Sequence, residues 1–171
     1  LLYGTPYTAA AKLLSCDTAH GDEVRALLES SIDFAQGVVR GVLHTAGIPD
    51  KGLINELHRF RFEMNASPKA GGAIRAHQHA SQLCLDAMVQ WSSIAAAYGN
   101  AGQATYAASN AYLDSLTLCR RAQAMVAASM QWPLIQGQGM GAVGWSDKQV
   151  KSRGMAAISI DEFATGLLEA L

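Results

Sequence analysis

Ala87-Met88-Val89-Gln90-Trp91-Ser92-Ser93 leads through Ile94-Ala95-Ala96-Ala97-Tyr98-Gly99-Asn100-Ala101-Gly102-Gln103 into Ala104-Thr105-Tyr106-Ala107-Ala108-Ser109-Asn110-Ala111-Tyr112-Leu113-Asp114. Residues 87–93 have the length and apolar content of a buried strand. Tyr98 to Gly102 is a glycine-bearing loop, and a strong helix is predicted from Gln103 to Met125. A serine pair therefore closes a buried strand, the end at which an α/β sheet presents ligands. Tyr106 and Asn110 are four residues apart and share one helix face. Buried polar groups there need partners. Spacing alone allows either a satisfied hydrogen-bond cluster or a reactive site.

Working outward, a second short strand is predicted at Val38-Val39-Arg40-Gly41-Val42-Leu43, and a third from Val126 to Trp132, closed by Pro133. Helices are predicted over 22–35, with Asp22 and Glu23 at its positive end, over 53–64, and over 161–171. Ser67-Pro68 reads as a cap and first helical residue of a further helix running to about Leu85. Strands alternating with helices imply a parallel sheet with helices on both faces, an α/β fold of Rossmann type. An all-helical bundle, suggested by 30 alanines, is the alternative.

The chain has 171 residues, half of them hydrophobic and 16% charged, with a formal net charge of -1. That fits one domain with a real core. No Lys/Arg run marks a nucleic-acid or anionic membrane surface, and no apolar run approaches a bilayer span. Cys16, Cys84 and Cys119 lack CxxC spacing and read as reduced, mostly buried thiols of an intracellular, most simply cytoplasmic, protein. His77 and His79, two apart on a helix, point in different directions and cannot share a metal, so no metal site is expected. They read as a solvated face, and His20 and His58 as isolated surface residues. Gly139-Met140-Gly141-Ala142-Val143-Gly144 matches a dinucleotide fingerprint literally. It lacks a strand running directly into it and an apolar helix leaving it, so it reads as a loop.

Taken together, these motifs resemble the ketoreductase domains of polyketide synthases and related fatty acid synthases, within the short-chain dehydrogenase/reductase superfamily. The resemblance rests on Trp91 to Asp114, with Ser-Ser, Gly-x-x-Gly-Gln, Tyr-Ala-Ala-x-Asn and Leu-Asp in order. It extends to Gly41-Val42-Leu43-His44-Thr45-Ala46-Gly47, Pro68-Lys69-Ala70-Gly71-Gly72, Arg120-Arg121 and Gly139-Met140, and covers about residues 14 to 171. It implies that Tyr106 is the proton donor, that Ser93 hydrogen-bonds the substrate oxygen, that Lys69 lies near the tyrosine, and that Asn110 completes the set. It implies NADPH as cofactor, with Asp17, His44, Ala46 and Gly47 beside it. The implied reaction reduces a β-ketoacyl thioester, carried by an acyl carrier protein, to the β-hydroxyacyl thioester in polyketide or fatty acid synthesis. A tyrosine free in water titrates near 10, and a neighbouring ammonium favours its phenolate.

No strand, glycine-rich turn and helix precede Cys16-Asp17-Thr18 in the sequence, so the backbone cradle for a pyrophosphate is not supplied by these residues. The chain is therefore expected to be a partial domain of a larger polypeptide or assembly, inactive when isolated. The competing reading is a non-catalytic, ketoreductase-like structural or interaction subunit.

Overall fold

A computed structural model describes residues 10–49, 51–137 and 156–170. In chain order it holds helix α1 (Gly21–Phe34), strand β1 (Gly41–His44), helix α2 (Arg59–Ala66), helix α3 (Gly72–Ala80), strand β2 (Ala87–Ser93), a one-turn helix α4 (Ala95–Tyr98), helix α5 (Ala104–Ala122), strand β3 (Ala128–Trp132) and helix α6 (Ile160–Ala170). The sheet is parallel throughout, in the order β1-β2-β3. Gly41 pairs with Ala87 and His44 with Gln90, while Val89 pairs with Ala128 and Ser93 with Trp132.

The central strand explains its own sequence. β2 is flanked on both edges and covered on both faces, so five of its seven residues are buried, as a doubly covered parallel strand requires. Successive side chains alternate between faces. Ser92 reaches α5, where its hydroxyl donates to the Asn110 carbonyl at 3.3 Å. Trp91 faces the other way, with its ring 6.0 Å from that of Phe163 on α6. Helices thus lie on both faces. Phe163 also sits 4.5 Å from Trp132. Gly166 lets α6 approach, because a Cβ there would stand 3.2 Å from the Trp132 ring.

On the other face α5 packs on β2, and Leu113 and Leu116 meet Ala73 and Ile74 of α3. Leu113 is fully buried; burying one leucine contributes about 1.5–3 kcal/mol. Small residues on α3 (Ala73, Ala76 and Ala80) let the two helices close on each other. Asp114 on α5 ties the helix to β3, accepting from the Ser129 hydroxyl and from Gln131 Nε2.

The structure corrects several details of the sequence reading. The stretch 53–64 is not one helix: a 3-10 turn (Ile54–Glu56) precedes α2. Ser67-Pro68 does not begin a new helix either. Ser67 has helical dihedrals, and a π turn (Ser67–Gly71) joins α2 to α3 without a break. Proline lacks an N–H, and its ring crowds the carbonyl four residues back, which a straight α-helix cannot absorb. The widened turn absorbs it. α3 ends at Ala80, not Leu85, and β1 starts at Gly41 rather than Val38.

Cys84 and Cys119 are exposed and Cys16 is half-buried, so the thiols are free but not mostly buried. His58 is not an isolated surface residue: its Nδ1 accepts from the Arg61 amide at 3.3 Å and caps α2. His20 lies 3.4 Å from Asp17 and 3.6 Å from Glu23. His77 is not on a solvated face, because its Nδ1 accepts from Arg120 Nη1 at 2.7 Å. His79 is exposed. Residues 139–144 lie outside the described residues. No helix among the described residues is long and apolar enough to cross a membrane, and they contain no cluster of three or more His, Cys, Asp or Glu placed to hold a metal.

Candidate active site

The π turn is the first element of the site. Two carbonyls of the turn take partners from other parts of the chain. Pro68 O accepts from the Thr18 hydroxyl at 2.9 Å, and Lys69 O accepts from His44 Nε2 at 2.8 Å. A carbonyl can only accept, so His44 carries its proton on Nε2. Burial, the largest influence, pushes His44 below the ordinary histidine range; the bond to Lys69 opposes this and the Lys69 charge adds to it. His44 therefore reads as a neutral strut that holds the turn.

The turn throws the Lys69 side chain inward. The residue is 3% exposed, and its ammonium donates to the Trp91 carbonyl at 2.7 Å. The same nitrogen lies 5.7 Å from the centre of the Tyr106 ring, within cation–π range. Burial lowers the Lys69 pKa to about 8, with the Asp114 carboxylate acting in the opposite direction. Lys69 is thus a largely charged ammonium at neutral pH, one that loses its proton well before an exposed lysine does. Gly47 leaves room for it: a Cβ there would stand 2.8 Å from Lys69 Cε.

Ser93 closes β2, two residues beyond the carbonyl that holds Lys69. Its oxygen accepts from the Ala95 amide at 3.2 Å, which leaves the hydroxyl proton free to be donated elsewhere. Tyr106 lies in the first turn of α5 and is half-buried. Asn110, one turn later, is fully buried and donates through Nδ2 to the Tyr106 carbonyl at 2.8 Å. The structure therefore gathers Lys69 and Tyr106 at the carboxyl end of the central strand, beside Ser93. Asn110 supports the backbone of the tyrosine. Its Oδ1 is buried with no hydrogen-bond partner among the described residues.

The residues tied to the cofactor by resemblance separate into two groups. Asp17 is exposed, and its Oδ1 accepts from the Ala19 amide at 2.9 Å. Ala46 and Gly47 follow β1 at the carboxyl edge of the sheet and are half-buried. His44 is spent on the Lys69 carbonyl. Reading the sequence missed Thr18 and Gly72 as parts of the scaffold. A Cβ on Gly72 would stand 2.9 Å from both His44 Cε1 and Thr18 Oγ1. It also gave no role to Asp114, which appeared only as the end of a motif.

A parallel α/β sheet with an ammonium, a tyrosine and a serine at the carboxyl end of its central strand accords with the short-chain dehydrogenase/reductase superfamily. The chain belongs to the KR domain family, whose model matches residues 5–137, and its relatives are the ketoreductase domains of polyketide synthases. It is 41% identical over 165 residues to the polyketide synthase GfsA of Streptomyces halstedii, which covers 95% of this chain and 2% of that protein. It is 32% identical over 155 residues to 6-methylsalicylic acid synthase of Penicillium patulum, covering 90% of this chain and 9% of that one. Among solved structures, the first ketoreductase of the tylosin polyketide synthase superposes with a TM-score of 0.79 at 38% identity, over 90% of this chain and 32% of that one. A ketoreductase domain from the bacillaene assembly line gives 0.81 at 29% identity, over 91% of this chain and 39% of that one. The chain thus spans a small fraction of these synthases and about a third of the solved ketoreductases.

Proposed function

We propose that these residues form the acid–base half of an NADPH-dependent ketoreductase acting in polyketide assembly on a β-ketoacyl thioester carried by an acyl carrier protein. The observation that carries this reading is the buried Lys69 ammonium, pinned to the Trp91 carbonyl beside the Tyr106 ring. An ammonium held in a low-dielectric site stabilises negative charge on a neighbouring oxygen far better than one in water.

The residues present would supply part of a dinucleotide site, though not its pyrophosphate cradle. The exposed Asp17 carboxylate offers an acceptor for an amine or hydroxyl, Ala46 and Gly47 lie at the carboxyl edge of the sheet, and Lys69 supplies positive charge. NADPH, when bound, supplies the hydride. As the ketone gains it, negative charge develops on the carbonyl oxygen. The Ser93 hydroxyl donates a hydrogen bond to that oxygen and Tyr106 Oη gives it a proton. Lys69 stabilises the phenolate that remains until solvent returns the proton. Asn110 holds the Tyr106 backbone and so keeps the phenol in register.

The test uses the full polypeptide that carries this chain. A β-ketoacyl thioester is supplied with NADPH and loss of the reduced nicotinamide is followed. The reading expects β-hydroxyacyl product and its loss in Tyr106→Phe. Absence of any turnover in the unsubstituted protein would sink it.

A further inference from the structure

Two segments that bear no catalytic group meet beside the site. Residues 51–53 lie in the connection from β1 to α2, and residues 99–103 lead into α5. The Gly52 amide donates to the Gly102 carbonyl at 3.0 Å. Gly52 has φ 138° and Gly102 φ 76°, both in the region that side-chain-bearing residues rarely adopt. The Arg61 guanidinium lies across Gly52, where a Cβ would stand 2.7 Å from its Cζ. Arg61 is itself fixed at the start of α2, with its amide bonded to His58.

The bond acts on the start of α5. Gly102 is followed by Gln103, whose carbonyl accepts from the Ala107 amide at 2.9 Å and closes the first turn. Tyr106 is the third residue of that turn. A movement of Gly102 therefore moves the tyrosine against Lys69, which is held from a different element by β2 and the π turn.

We propose that Gly52 is a positioning residue: with Gly102 and Arg61 it forms a clasp that fixes the first turn of α5 and so aligns Tyr106 with Lys69. The proposal rests on the reductase reading for its catalytic consequence, but its structural consequence can be measured without activity. A side chain at Gly52 meets an unfavourable φ; the guanidinium, at the far end of a flexible side chain, can swing aside, so the backbone strain falls on the Gly52–Gly102 bond.

The experiment compares Gly52→Ala with Gly37→Ala in the full polypeptide. Gly37 follows α1, has φ 92° and has open space around it, so its substitution imposes backbone strain without touching the clasp. Two readouts are taken: amide exchange in the first turn of α5, and kcat and KM for the ketoacyl substrate. The clasp expects exchange of the Ala107 and Ala108 amides to rise on the order of tenfold in Gly52→Ala and not in Gly37→Ala. It expects kcat to fall on the order of tenfold with KM nearly unchanged, since alignment rather than binding is lost. Should Gly52→Ala fail to fold, Arg61→Ala uncovers the clasp without backbone strain and is expected to raise the same exchange. Unchanged exchange in that turn, or an equal rise in Gly37→Ala, overturns the clasp whatever the activity. Absence of turnover in the unsubstituted polypeptide tells against the reductase reading instead, and the exchange comparison still decides the clasp.

Discussion

Gly47 and Lys69 are in such close contact that a single methyl group cannot be placed between them: a Cβ at position 47 would stand 2.8 Å from Lys69 Cε and 3.4 Å from its Nζ. The lysine cannot retreat freely, because it is buried and bonded to the Trp91 carbonyl. Gly47→Ala should therefore push the ammonium off that carbonyl and away from Tyr106. The expected loss in turnover is about tenfold or more, with the fold retained. Steady-state kinetics alongside a thermal melt check this; a variant with full kcat would show that the ammonium position does not matter.

Lys69 links activity to pH in a stated direction. Its charge is lost as pH rises through about 8, so the reductase reaction should decline on an alkaline limb with a midpoint near that value. Lys69→Met should lower turnover and remove that limb. Stability should move the other way. The folded pKa lies below the unfolded value, so the unfolded chain binds more protons between about 8 and the ordinary lysine range, and stability rises with pH across that window. Lys69→Met, which buries no charge, should be more stable than the parent at pH 7.5, and the gain should shrink toward pH 10. Urea titrations of both proteins at the two pH values measure it.

Tyr106→Phe removes the proton donor but keeps the ring that lies by Lys69. Turnover should fall by ~10²-fold or more, the scale of a general acid. NADPH affinity of the full polypeptide should stay within about twofold of the parent, because the missing hydroxyl belongs to the step and not to the cofactor cradle. Calorimetric titration with NADPH separates the two effects.

On the acid side the fold depends on neutral histidines. Arg120 is buried without a carboxylate bonded to it among the described residues. It donates instead to His77 and, through Nε and Nη2, to the Val126 carbonyl at 3.3 Å. Burial and then the Arg120 charge push His77 below its ordinary range, and burial does the same to His44. The unfolded chain therefore takes up more protons just below the ordinary histidine pKa, and stability falls as pH drops from about 6.5. His77→Gln should weaken that acid dependence while keeping an acceptor for Arg120. Denaturation midpoints from pH 7 to 5 compare the variant with the parent, and identical slopes would count against the His77 contribution.

Leu113 tests the packing that supports the site. It is fully buried against Ala73 between α5 and α3. Leu113→Ala should cost about 2–5 kcal/mol, read from chemical denaturation of the polypeptide, and a cost below 1 kcal/mol would mean the two helices close over the gap.

What the sequence determined by itself was the order of elements and the residues at their ends. The apolar run 87–93 ends in a serine pair because a central parallel strand must be buried on both faces and exposed only at its tip. Tyr106 and Asn110 share a face because four residues make about one helical turn. Such facts are local, and they carry over from residue types and spacing. Tertiary structure alone decided what happens at Pro68. A proline reads locally as a helix start, yet here the helix continues through a π turn, and Thr18 and His44, distant in sequence, bond the Pro68 and Lys69 carbonyls of that turn. The same holds for Gly47, Gly52 and Gly72. Each is one glycine among sixteen in the sequence, and each is required by a neighbour from another element: Lys69, Arg61 and the His44–Thr18 pair. Their role is exclusion of a methyl group at a crossing of two segments, and a crossing exists only once the chain has folded.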